Sequence, residues 1–152
     1  MSAAVRRATV DDADVLAGLL HDFNTEYDTP TPGVAVLAGR LRTLLAQPTT
    51  SALLAGDPAV GFALVTLRTN VWYDGPVALL DELYVRPHLR SQGIGAAIVE
   101  RLVADAEADG VSAIEINVDE GDHDTQRFYA RHGFGWTEPG SDERAFYFWR
   151  EL

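Results

Sequence analysis

Apolar residues recur along the chain at two spacings, and the changes between them mark out its elements. Val5 to Ala8 is predicted as a short strand. Thr9 followed by Asp12 has capping-box spacing, with Asp standing where Glu is usual. Val15, Leu16, Leu19, Leu20 and Phe23 then recur at helical spacing. The polar turn Thr29-Pro30-Thr31-Pro32-Gly33 ends that helix. Val34, Leu37, Leu41, Leu44 and Leu45 mark a second one, closed before Pro48. Ser51 to Ala55 and Ala59 to Leu67 read as a hairpin around Gly56-Asp57-Pro58. A Trp72-Tyr73-Asp74-Gly75-Pro76 turn leads into a further strand, Val77 to Val85. A long helix follows from Gly93 to Ala108, carrying Ile94, Ile98, Leu102 and Val103, and Gly110 ends it. Ile114, Ile116 and Val118 alternate as the next strand. A short helix is predicted from Asp124 to His132, stopped by Gly133, and a closing strand from Arg144 to Trp149. Early hairpins and a later strand-helix-strand crossover predict an α/β or α+β fold on a single sheet.

Composition narrows the function classes. The 152 residues fit one domain, 1–152, with no repeat or linker to divide it. No run reaches the ~18 apolar residues of a membrane span, and the stretch from Met1 to Arg7 lacks an apolar core; a cytoplasmic protein without a membrane partner is expected. The net charge of -11 argues against a nucleic-acid partner and suits a cationic substrate. All 12 basic residues are Arg, so the chain has no lysine to acylate. With no cysteine there is no thiol nucleophile and no thiolate metal site. The acidic run Asp119 to Asp124 fails the calcium-loop pattern and the four His lack ligand spacing, so no metal is expected.

The chemistry concentrates in Leu83-Tyr84-Val85-Arg86-Pro87-His88-Leu89-Arg90-Ser91-Gln92-Gly93-Ile94-Gly95. A strand ends, Pro87 breaks it, and two glycines open a helix. Free N–H groups at a helix start, with the partial positive charge there, suit a phosphate. Glycine lets the backbone approach the anion, and Arg90 can add a charged contact. A Walker A loop is excluded because no Gly-Lys-Ser/Thr follows, and a dinucleotide fingerprint is weak because position 98 is Ile98.

Arg90-x-x-Gly93-x-Gly95 after Leu83-Tyr84-Val85 resembles the acetyl-CoA-binding motif of the GNAT family of N-acetyltransferases. Phe128-Tyr129-Ala130-Arg131-His132-Gly133-Phe134 is similar to a second segment of that family. The order of elements resembles the family along nearly the whole chain. The resemblance implies the acyl-CoA N-acyltransferase fold, a mixed, mostly antiparallel, splayed sheet flanked by helices. It also implies acetyl-CoA as co-substrate, bound by Leu83, Tyr84 and Val85 along pantetheine and by Arg90, Ser91, Gln92, Gly93, Ile94 and Gly95 at the pyrophosphate. The N–H of Leu83 or Tyr84 would polarise the thioester. Tyr129 would be the acid that protonates the leaving thiolate. Glu82 is the candidate base, with Asp81 as the alternative. By alternation Glu82 and Tyr84 share one face of the strand, and Asp81, Leu83 and Val85 the other. Where the family often has Asn, this chain has Asp122; Asn117 is a neighbouring candidate for the same coenzyme contact.

The resemblance places the acceptor near the first two helices, where Asp22, Glu26, Tyr27 and Asp28 lie, with Trp72 and Tyr73 from the hairpin side. Acid plus aromatic suits an amine with positive character. A homodimer is expected, because dimers are common in the family and the apolar stretch Ala145-Phe146-Tyr147-Phe148-Trp149 would be adhesive if unpaired. The competing reading is a non-catalytic acyl-CoA-binding module, which would keep the turn but lose Tyr129 or the strand acids; both are present.

Overall fold

Five of the apolar stretches pair into one sheet whose two faces carry different helices. The computed structural model describes residues 3–152; Met1 and Ser2 of the N-terminal stretch lie outside the described residues. The described residues form two compact units, residues 3–116 and Asn117–Leu152.

The first unit holds β1 (Val5–Arg7), α1 (Ala13–Glu26), α2 (Val34–Leu45), β2 (Thr50–Ala55), β3 (Gly61–Arg68), β4 (Val77–Val85), α3 (Ile94–Ala108) and β5 (Ala113–Ile116). The strands lie side by side in chain order, β1-β2-β3-β4-β5. Neighbours are antiparallel except β4 and β5, which are parallel because α3 carries the chain back between them. Asp12 organises the entry to α1: its carboxylate accepts from the Thr9 N–H at 2.8 Å and from both terminal nitrogens of Arg6. Those bonds hold its carboxyl down at about 2, Arg6 contributing most.

One face of the sheet buries Leu54, Phe62 and Tyr84 against Leu16 and Leu19 of α1 and Leu41 of α2. The other receives α3, whose Ile98, Val99 and Leu102 are buried. Gly61 sits under α3. A Cβ there would meet the Tyr84 carbonyl oxygen at 2.9 Å and Ile98 Cδ1 at 3.3 Å.

The second unit contains α4 (His123–Arg131), capped by the Asp122 carboxylate, which accepts from the Thr125 N–H at 3.2 Å. Two expectations are corrected here. The strand expected to run to Val118 ends at Ile116, which leaves Asn117 one residue past β5. The closing strand from Arg144 to Trp149 is not formed; a single bridge joins Thr137 to Arg144, and the aromatic residues beyond it have no ladder. Strand-forming side chains do not make a strand without an edge to bond to.

Candidate active site

β4 is paired on both sides only along its first half. Its register with β5 runs from Val77 opposite Ala113 to Leu80 opposite Ile116 and stops. From Asp81 to Val85 it is bonded to β3 alone, so one row of backbone groups faces away from the sheet. Which groups those are follows from the alternation of an antiparallel ladder. The Arg86 N–H bonds to the Val60 carbonyl at 2.9 Å. Tyr84 and Glu82, two and four residues back, therefore direct their backbone toward β3, and Leu83 and Val85 turn theirs outward. The Val85 carbonyl accordingly accepts from Arg90 Nε at 2.9 Å.

A bulge sits at the start of this free segment. Glu82 lies opposite Leu64 and Leu80 opposite Val65, leaving Asp81 as an extra residue. It corrects the expected faces. Leu64 packs on the α1–α2 side, so Glu82 faces that side with Tyr84. Asp81 is turned to the same side, where the Thr66 hydroxyl donates to its carboxylate at 2.5 Å. The two carboxylates thus share a face instead of dividing between two. Glu82 is half-buried and Asp81 exposed. Burial first, and the Asp81 charge second, push the Glu82 carboxyl up to about 7.

The turn after β4 is shaped for close approach. Ser91 and Gly93 have φ of 62° and 82°, so the backbone reverses through two left-handed residues before α3. Ala97 makes the first helical bond, to the Gly93 carbonyl at 3.0 Å. The N–H groups of Ile94, Gly95 and Ala96 therefore have no helical acceptor. A Cβ on Gly93 would meet no protein atom within 4 Å, so the space in front of it is open. A phosphate fits such a cradle.

Arg90 is held from three sides. Beyond its bond to Val85, it donates to the Glu26 carboxylate at 2.6 Å, and its guanidinium lies 5.6 Å from the centre of the Tyr84 ring. One turn back along α1, Asp22 accepts from Arg86 at 3.0 Å. Two of the three acids expected near the acceptor, Asp22 and Glu26, are thus engaged by the arginines that flank the turn. Tyr27 is exposed and packs edge-on against Phe23, which stacks on Tyr84 at 5.1 Å. Trp72 and Tyr73 lie on the loop before β4, both exposed, with their N–H groups bonded to the Asn70 side chain. Among the described residues no hydrogen bond, ion pair or ring contact joins them to Asp22, Glu26 or Tyr27, so these residues form two groups. Thr66, Arg86 and Phe23 were missed from the sequence. The only signal for Thr66 is two adjacent carboxylates interrupting an apolar strand.

In the second unit, Tyr129 is buried between Phe128 and Phe134, with ring centres at 5.1 and 5.7 Å. Burial, with the Asp122 charge second, raises its phenol above the usual value, so it stays protonated and available as a hydrogen-bond donor. Asp122 is occupied as the α4 cap, and Asn117 is exposed.

Comparison with known proteins shows the family and the fold. The family model described as "Acetyltransferase (GNAT) family" matches residues 17–134. An aminoglycoside N(6')-acetyltransferase type 1 of Serratia marcescens is 35% identical over 104 residues, covering 64% of this chain and 71% of that protein. The crystal structure of a putative acetyltransferase from Arthrobacter sp. FB24 superposes with a TM-score of 0.92 at 49% identity, over 98% of this chain and 96% of that one. An aminoglycoside acetyltransferase from an uncultured soil metagenomic sample, solved with sisomicin, shares the fold at a TM-score of 0.78 and 19% identity, over 98% and 95% of the two chains.

Proposed function

We propose, from the premise that the chain belongs to the GNAT acetyltransferase family and is an N-acetyltransferase, that it moves the acetyl group of acetyl-CoA directly onto a primary amine carrying positive charge. The free edge of β4 beside the Gly93 cradle carries this reading. Pantetheine has two amides and needs an edge to pair with, and the outward N–H and C=O of Leu83 with the outward N–H of Val85 supply one. The pyrophosphate takes the N–H groups of Gly93, Ile94 and Gly95, with Ser91 and Gln92 completing the turn. Arg90 adds its charge from the rim.

Transfer has three needs. The amine must lose a proton, and Glu82, titrating near 7, is the base that takes it, directly or through water. The thioester carbonyl gains negative charge when the amine attacks, and the outward N–H of Leu83 donates to it. The C–S bond then breaks; the Tyr129 phenol hydrogen-bonds to the departing thiolate as its acid and recovers from solvent the proton it passes on, while Glu82 releases to solvent the proton taken from the amine. The amide product and free CoA leave, and no covalent enzyme intermediate forms.

Asp22 and Glu26 steady the arginines of the turn in this reading, and the Asp81 and Glu82 carboxylates meet the acceptor's positive charge. The Serratia relative acts on aminoglycosides by its name, which makes polyamine sugars the first acceptors to test. The enzyme works as a single domain over residues 1–152, as a cytoplasmic homodimer. Thermal stabilisation by acetyl-CoA but not ATP, followed by thiol release with a panel of amines, tests it. Turnover only with neutral or acidic acceptors would remove the charge preference, and stabilisation by ATP alone would remove the coenzyme assignment.

A further inference from the structure

Asp81 and Glu82 differ from the acids around them in having no basic partner. Asp22 and Glu26 of α1 are matched by Arg86 and Arg90, and Glu115 of β5 by Arg68. Among the described residues, neither Asp81 nor Glu82 takes part in an ion pair. What Asp81 has instead is Thr66, whose hydroxyl donates to Oδ2 of its carboxylate at 2.5 Å across the bulged β3–β4 pair. An exposed Asp otherwise exchanges among its rotamers. This bond sets its direction and leaves Oδ1 open. Arg68 shares the face of Thr66, two residues on along β3, yet its guanidinium is committed to both oxygens of Glu115, at 2.7 and 2.8 Å.

Charge has to balance when an amine is acetylated on this face. The reacting ammonium gives its proton to Glu82, and both groups become neutral. The Asp81 charge remains beside them, where Glu82 is half-buried and screening by water is reduced. No arginine is placed to meet it, so the countercharge has to come with the acceptor. We propose that Thr66 is a positioning residue for the acceptor: it holds Asp81 so that the open carboxylate oxygen binds a second ammonium, carried close to the amine that reacts. The acceptor class narrows to diamines and polyamines with neighbouring amino groups. This rests on the acetyl-transfer reading and adds to it a residue and a second charge.

The test compares CoA release with 1,3-diaminopropane and with 3-amino-1-propanol, in which a hydroxyl replaces the second ammonium. Wild type is expected to favour the diamine in kcat/KM by about tenfold, the scale of one charge-assisted hydrogen bond. Thr66→Val keeps the shape and strand preference of the side chain but removes the donor. It is expected to raise KM for the diamine several-fold, with a smaller effect on kcat and on the amino alcohol. Thr66→Ser restores the donor and is expected to recover most of the preference. In an Asp81→Asn background, Thr66→Val is expected to reduce the preference no further, because the charge it positions is gone. Equal losses with both acceptors, a loss of acetyl-CoA affinity, or an additive loss in the double variant would make Thr66 structural and overturn the proposal. Transfer to both amines without preference in wild type would overturn it too, and would leave the acetyl-transfer reading standing. No amine-dependent release with either would overturn both.

Discussion

The Thr66 hydroxyl donates a 2.5 Å hydrogen bond to the Asp81 carboxylate across the bulge that turns Asp81 and Glu82 to one face of the sheet. The bond fixes a negative charge beside the half-buried Glu82. That charge reinforces the larger effect of burial on the Glu82 carboxyl.

Replacing Asp81 by Asn therefore moves the acid limb of turnover down in pH. The limb stays above the ordinary carboxylate range, because burial is the first cause and is untouched. A pH profile of kcat/KM for Asp81→Asn checks the direction, and an inflection that stays in place would separate Asp81 from the base.

Glu82→Gln is expected to abolish most turnover yet stabilise the fold at alkaline pH. The folded carboxyl binds its proton more tightly than the unfolded one, so stability falls as pH rises from about 4.5 through about 7. Above that window the ionised Glu82 costs about 1–2 kcal/mol, allowing for its partial solvation, and Gln removes that cost. Denaturant midpoints at pH near 8 and near 5 test it: the variant gains at the first and gains little or nothing at the second.

Arg90→Ala is expected to weaken acetyl-CoA binding roughly tenfold, less at high salt, with a small change in thermal stability. Its pair with Glu26 is partly exposed, and such pairs contribute about 1 kcal/mol or less. Titration at two ionic strengths distinguishes a phosphate contact from a structural one, since only the former gives a salt-dependent loss.

Gly93→Ala separates conformation from contact. The left-handed φ of 82° costs an alanine about 1–2 kcal/mol of stability. Its Cβ projects into the open space assigned to the pyrophosphate, so affinity for acetyl-CoA falls by more than the stability loss explains. Equal affinity in a folded variant would contradict the cradle.

Much of this architecture is written in local periodicity. α1 and α2 end where Pro and Gly enter the chain, and the β4-to-α3 turn is visible as Pro87 followed by Gly93 and Gly95. What periodicity misses is whatever depends on pairing. Alternation counted from Val77 assumes an unbroken ladder, and one extra residue at Asp81 reverses the faces. The ion pairs of Arg86 with Asp22 and Arg90 with Glu26 join residues 64 positions apart, beyond any local signal. The Phe146 to Trp149 run has strand propensity, but propensity does not supply the edge that a strand bonds to.

The dependence of amine-driven CoA release on pH tests the central claim most directly. The chain has neither cysteine nor lysine, so neither thiol background nor lysine self-acetylation disturbs the measurement. With acetyl-CoA and a polyamine acceptor, kcat/KM is expected to rise with pH through an inflection near 7 as Glu82 loses its proton, and Glu82→Gln to erase that limb. Release that needs no amine, or a profile identical in wild type and Glu82→Gln, would contradict it.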